Sequence, residues 1–137
     1  MRLFVDTSVW SLAFRRDTPG REPAVVRLSR GLAEAESIFT TGLVLQELLQ
    51  GFRGPRAHDR IVERFAALPF LVPERGDHVG AASLRNACRR RGVQIGTIDA
   101  LLAELCIRRE LTMLSTDRDF ERIARHTTLD LWHSSSS

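Results

Sequence analysis

Asp6 follows the apolar run Leu3, Phe4, Val5 with no glycine or proline beside it, and Asp117 closes a second apolar run, Leu111 to Ser115. In an open parallel sheet, ligands bind beyond the carboxyl ends of the strands, where the strand order reverses. In the common doubly wound order the strands ending in Asp6 and Asp117 are neighbours, and their carboxylates face each other. Close carboxylates raise one another's pKa unless a cation lies between them, so such a pair is a shared-proton dyad or a metal site. Taken singly, each could instead cap the helix that follows it. Glu47 adds to the pair, because Leu43 to Leu49 is otherwise almost wholly apolar. A helix apolar nearly all round is buried, and a lone carboxylate on it needs a partner. Asp99 stands near the start of a helix and close to its apolar stripe, where dipole compensation is the competing explanation. Four acidic side chains from separate βα units, converging on one sheet edge, match the oxygen ligands that Mg²⁺ or Mn²⁺ prefers.

Alternating apolar runs and helical patterns predict the scaffold, since this alternation is the signature of βαβ units in a parallel sheet. Strands are expected at Leu3 to Val5, Ser37 to Thr41, Phe70 to Val72, Leu111 to Ser115 and Leu129 to Trp132. Thr7 or Ser8 can cap a first helix through Val9, Trp10, Leu12 and Ala13, and Arg15 to Gly20 reads as a loop. Pro23 opens a second helix and Pro55 a later one, with Ile61, Val62, Phe65 and Leu68 as its core stripe. Between them, Leu43 to Leu49 is helical and stops at Gly51. Asp77 can cap a helix that ends in Arg89, Arg90 and Arg91 before Gly92. Thr97 caps another, with Ile98, Leu101, Leu102, Leu105 and Cys106 on one face, and a short last helix carries Phe120, Ile123 and Ala124. At 137 residues the chain suits a single domain over residues 1–133, with serines 134–137 as a disordered tail.

Composition removes several chemistries. All 20 basic residues are arginine. Without lysine there is no phosphate-binding loop of standard form, no Schiff base, and no receiver-domain lysine beside the aspartates. His58, His78, His126 and His133 show no paired spacing, and no serine or cysteine sits in a nucleophile motif. Cys88 and Cys106 are expected as reduced thiols, in a soluble cytoplasmic protein with no export signal and no membrane span. Setting the four acids aside leaves 20 arginines against 13 carboxylates, a surface basic enough for RNA. Arg15, Arg16, Arg53 and Arg56, in loops near the site edge, are the candidate RNA contacts. Arginine's planar fork suits phosphate, although GC-rich codon usage gives the same bias.

Four blocks in order resemble the PIN-domain ribonucleases, and within them the VapC-type toxins. They are Phe4 to Ser8, Gln46 to Gly51, Ile98 to Ala103, and Leu114 to Phe120 with its Thr-Asp-x-Asp-Phe pattern. The resemblance implies an αβα three-layer sandwich with a central, mostly parallel sheet of four to five strands. It also implies an endoribonuclease dependent on one or two Mg²⁺ or Mn²⁺ ions, a cognate VapB-type antitoxin and a homodimer. Carried over, Asp6, Glu47, Asp99 and Asp117 form the catalytic and metal-binding quartet, with Thr7, Ser8 and Thr116 as supporting hydroxyls. Asp119 ranks behind them, either near the metal or capping the last helix. The reaction this implies is phosphodiester hydrolysis by a metal-activated water, with no covalent intermediate. The alternatives are a non-catalytic module that docks RNA or a protein, and a structure-specific DNA nuclease, which usually needs additional helices to thread DNA.

Overall fold

The computed structural model describes residues 1–15 and 22–134. Their elements run β1 (Arg2–Val5), α1 (Thr7–Phe14), α2 (Pro23–Ala33), β2 (Ser37–Phe39), α3 (Gly42–Gly51), α4 (Pro55–Ala66), α5 (Arg75–Arg90), α6 (Thr97–Arg108), β3 (Thr112–Leu114), α7 (Arg118–His126) and β4 (Asp130–Leu131). The strands form one four-stranded sheet in the order β2-β1-β3-β4. Phe4 pairs with Phe39 between parallel β1 and β2, and Met113 with Leu131 between parallel β3 and β4. The Asp6 amide donates to the Leu114 carbonyl at 3.0 Å, so the strands that end near Asp6 and Ser115 are neighbours, as the doubly wound order requires.

The chain divides into two compact units. One consists of residues up to Val72 together with Leu114–Thr116, the other of Pro73–Met113 and Asp117–His133. In the first, Leu3, Phe4 and Val5 are all fully buried, which is why β1 reads as a continuous apolar run rather than an alternating one. Trp10 of α1 packs against Phe65 of α4 with ring centroids 4.9 Å apart. Arg27 is buried with them and clamped to Glu36 through bonds of 2.7 and 2.9 Å, which holds the Glu36 carboxyl down at about 2. In the second unit α5 packs along α6, with Leu84, Cys88, Leu102 and Leu105 buried. Gly80 lets the Glu104 carboxylate lie close against α5, and a Cβ there would make that side chain shift. Neither cysteine is in a disulfide and both are buried, and burial pushes the Cys88 thiol up. Among the described residues, no helix is long and apolar enough to cross a membrane.

Several local expectations are corrected. Residues 70–72 are not a strand: only Phe70 bridges, to Thr40, while Phe70 is 42% and Val72 75% exposed. Pro69 and Pro73 flank this run and can donate nothing to a ladder. Val62 and Ile98 carry helical spacing yet are exposed: α4 buries only Ile61 and Phe65 and ends before the half-buried Leu68, while Ile98 stands in the first turn of α6, ahead of a buried face that runs from Ala100 to Cys106. The cap positions fall one residue earlier than expected, at Asp6 for α1 and Gly96 for α6. Helix α5 is capped at Glu74, with Asp77 three residues in and accepting the Glu74 amide at 2.7 Å. Arg16 and serines 135–137 lie outside the described residues.

Candidate metal centre

Asp6 sits where β1 passes into α1, and its side chain is 6% exposed. Two hydroxyls converge on one of its oxygens: Ser8 Oγ donates to Oδ2 at 2.7 Å and Ser115 Oγ at 2.8 Å. The Thr116 amide in turn donates to Ser8 Oγ at 3.0 Å, which orients that hydroxyl towards the carboxylate. Burial raises the Asp6 pKa above its ordinary value, and the Ser8 and Ser115 hydroxyls only partly offset this. Among the described residues no cation pairs with Asp6, and Oδ1 accepts no side-chain hydrogen bond. A buried carboxylate held in this way suits a cationic ligand, which would restore its charged form. Ser115 does not stand out in the sequence. Its place one residue beyond β3, in parallel register with Asp6, is the signal that could have found it.

Glu47 accepts from Thr7 Oγ1 at 3.2 Å, so the two elements that flank Asp6 and Glu47 are tied together. The expected reason for its importance is corrected, however. Helix α3 buries only Val44 and Leu48, and Glu47 is exposed, so burial does not force a partner on it. Thr41 caps this helix through Oγ1, accepting the Val44 amide at 3.2 Å.

In the second unit Asp99, Asp117 and Asp119 each offer a carboxylate oxygen, and the three oxygens lie within 4.8 Å of one another. Asp99 is the third residue of α6 and Asp117 the cap of α7, accepting the Asp119 amide at 2.9 Å. Helix N-termini thus supply the partial positive charge that lets three carboxylates gather. Asp119 does not cap α7; it stands with Asp99 and Asp117, and Arg122 donates to its Oδ1 at 3.2 Å. The donor set is entirely hard oxygen, which fits Mg²⁺ or Mn²⁺ and not a thiolate- or imidazole-seeking metal.

Of the supporting hydroxyls, Ser8 contacts Asp6, Thr7 contacts Glu47, and Thr116 contributes its amide. Among the arginine candidates, Arg15, Arg53 and Arg56 line one cleft, although Arg56 stands in the first turn of α4 and not in a loop; Arg60, which its place inside the same helix had hidden among ordinary surface charges, lines it too.

Comparison with known proteins accounts for this arrangement. The PIN domain family model matches residues 3–126. VapC ribonuclease Mb1587 of Mycobacterium bovis is 33% identical over 130 residues, covering 93% of this chain and 95% of that protein. The crystal structure of VapBC2 from Rickettsia felis, bound to a DNA fragment from its promoter, contains a chain that superposes with a TM-score of 0.77 at 18% identity, over 98% of this chain and 100% of that one. VapC20 of Mycobacterium tuberculosis, a sarcin-ricin loop cleaving toxin, gives 0.66 at 18% identity over 87% and 92% of the two chains. With its strand order, its acidic residues at the strand and helix ends and these matches, the chain belongs to the PIN domain family and, within it, to the VapC group.

Proposed function

We propose that this protein is a divalent-metal-dependent endoribonuclease that acts as the toxin of a toxin–antitoxin pair. The observation that carries the reading is the gathering of Asp99, Asp117 and Asp119 oxygens within 4.8 Å, in a chain 33% identical to a VapC ribonuclease. Asp6 and Glu47 belong to the same machinery in this reading, and residues 1–133 work as one PIN-like domain. Thr116, whose amide orients Ser8 beside Asp6, is followed directly by Asp117 in the chain, which supports the grouping.

The ion would be Mg²⁺ or Mn²⁺, one or two of them, held by Asp6, Glu47, Asp99 and Asp117 with Asp119 beside them. When bound, such an ion lowers the pKa of a water and stabilises charge on the scissile phosphate. The protein's own residues prepare this. Ser8 and Ser115 fix one Asp6 oxygen, the Thr7 and Ser8 amides also hydrogen-bond its carboxylate, and Thr7 Oγ1 steadies Glu47. The α6 and α7 N-termini hold the remaining acids at low electrostatic cost.

In this reading a VapB-type antitoxin is the partner, in keeping with the 33% identity to a VapC ribonuclease, and a homodimer in the cytoplasm is the working form. The test is cleavage of mixed cellular RNA by the purified protein with Mg²⁺ or Mn²⁺, with chelator, and with Asp6→Asn. Discrete cuts that vanish with chelator and in the variant are expected. Intact RNA after incubation with folded, metal-supplied wild type free of inhibitor would overturn the reading.

A further inference from the structure

The first unit carries a cleft of about 590 Å³ lined by Phe14 and Phe52 and by Arg15, Arg53, Arg56 and Arg60. Its volume is within the range of ligand sites. Phe14 and Phe52 meet edge to face with centroids 6.4 Å apart, and the Arg60 guanidinium lies 5.5 Å from the Phe14 ring centre. Among the described residues no carboxylate lines the cleft, and Arg15, Arg53 and Arg56 are in no salt bridge. Four cations gathered with no counter-charge among the described residues repel one another, and an anionic occupant relieves that repulsion. Helix α4 opens onto the same cleft through Pro55, Arg56 and Ala57, with no acid in its first turn, so its positive end adds to the field. Gly54, at φ 100°, makes the turn between Arg53 and the start of α4.

We propose that this cleft is a nucleotide clamp: it stacks a base of single-stranded RNA on Phe52, which Phe14, itself stacked on Trp10, meets at an edge, and its arginines hold the adjacent phosphates. The combination of aromatic rings, guanidinium planes and positive charge is what unpaired RNA engages, and RNA offers the rings and the arginines partners at every nucleotide, whereas a purely acidic peptide would use the arginines alone. The inference rests on the ribonuclease reading and extends it by naming how substrate is positioned. Helices α1 and α3 connect the cleft to the acids of this unit. Phe14 is about 10 Å along α1 from Thr7, and the end of α3, next to Phe52, is about 6 Å from Glu47. A strand engaged at Glu47 therefore reaches the cleft with a neighbouring nucleotide.

The experiment measures binding of a labelled mixed-sequence oligoribonucleotide to the full protein in chelator, by fluorescence anisotropy across a salt series. It is run on wild type, Phe52→Leu and the exposed double variant Arg53→Gln/Arg56→Gln. Phe52→Leu is expected to weaken binding about tenfold, in line with the loss of one stacked base. The double variant is expected to lower the slope of log K against log salt by about 0.7 for each phosphate that is no longer neutralised. With Mg²⁺, both should raise KM for a long substrate far more than they lower kcat. Cleavage with unchanged KM and unchanged salt slope in both variants overturns the clamp while leaving the ribonuclease standing. RNA bound through the cleft but never cut overturns the ribonuclease and keeps the clamp. Unchanged RNA binding with lost binding of an aspartate- and phenylalanine-rich peptide overturns the clamp in favour of a peptide groove.

Discussion

Asp6 and Asp77 are the two aspartates with buried side chains among the described residues, and their surroundings are opposite. Asp77 lies against Arg109, which donates to both its oxygens at 3.0 and 2.9 Å, and against Arg108 at 3.3 Å. Arg109 holds its carboxyl down at about 2. Asp6 has hydroxyls where Asp77 has guanidiniums, and burial leaves its pKa raised. A buried carboxylate that is satisfied internally holds the fold together. One kept from a cation by its own fold is poised for a ligand, and carboxyls perturbed in this way concentrate at functional sites.

The largest effect expected is on chemistry. Asp6→Asn should lower RNA cleavage on the order of 1,000-fold, because a metal-binding carboxylate is lost, while thermal melting shows equal or higher stability, because a buried charge is removed. Asp77→Asn should do the reverse: a loss of about 3 kcal/mol in urea unfolding, with Arg109 left unpaired, and near-normal cleavage where the variant is still folded. If Asp6→Asn proved as destabilising as Asp77→Asn, the contrast would break.

The pH dependence sharpens the same contrast. The Asp77 carboxyl is depressed to about 2 from the usual 3.8, so its stabilisation is fully present above the unfolded value and is lost as pH falls through about 2. The stability gap between wild type and Asp77→Asn should therefore narrow between pH 5 and 2 in acid-titrated melts. Glu36, held at about 2 by Arg27, should add a loss of the same sign. Smaller still, Ser8→Ala or Ser115→Ala should reduce cleavage about tenfold, the value of one hydrogen bond to a charged group, with Ser115→Thr restoring most of it. Thr41→Ala tests the placement of Glu47 and should cost about 1 kcal/mol of stability through the lost α3 cap.

Much of this was readable from residue order alone, for reasons that differ by element. The β1 and β3 runs were legible because parallel strands buried on both faces are continuously apolar, and the helices because their apolar positions repeat at helical spacing. Helix ends were less so. Helices α2, α5 and α6 each finish on a left-handed residue, yet only Gly92 announces it, since Ala35 and Glu110 adopt φ 54° without being glycine. The Phe70 to Val72 run carried strand composition, but the chain gives it only one bridge partner, which composition does not encode.

The sequence by itself determined which acids stand at strand and helix ends, because those positions follow from local periodicity and capping. Only the tertiary structure decided what each acid meets. Asp6 meets Ser115, 109 residues away, and Asp77 meets Arg109, 32 residues away. It likewise brought Phe14 beside Phe52 and exposed Glu47 on a helix that reads as buried. Contacts between residues distant in the chain are fixed by packing and hydrogen bonding between whole elements, and these set whether a carboxylate is neutralised from within or left for a ligand.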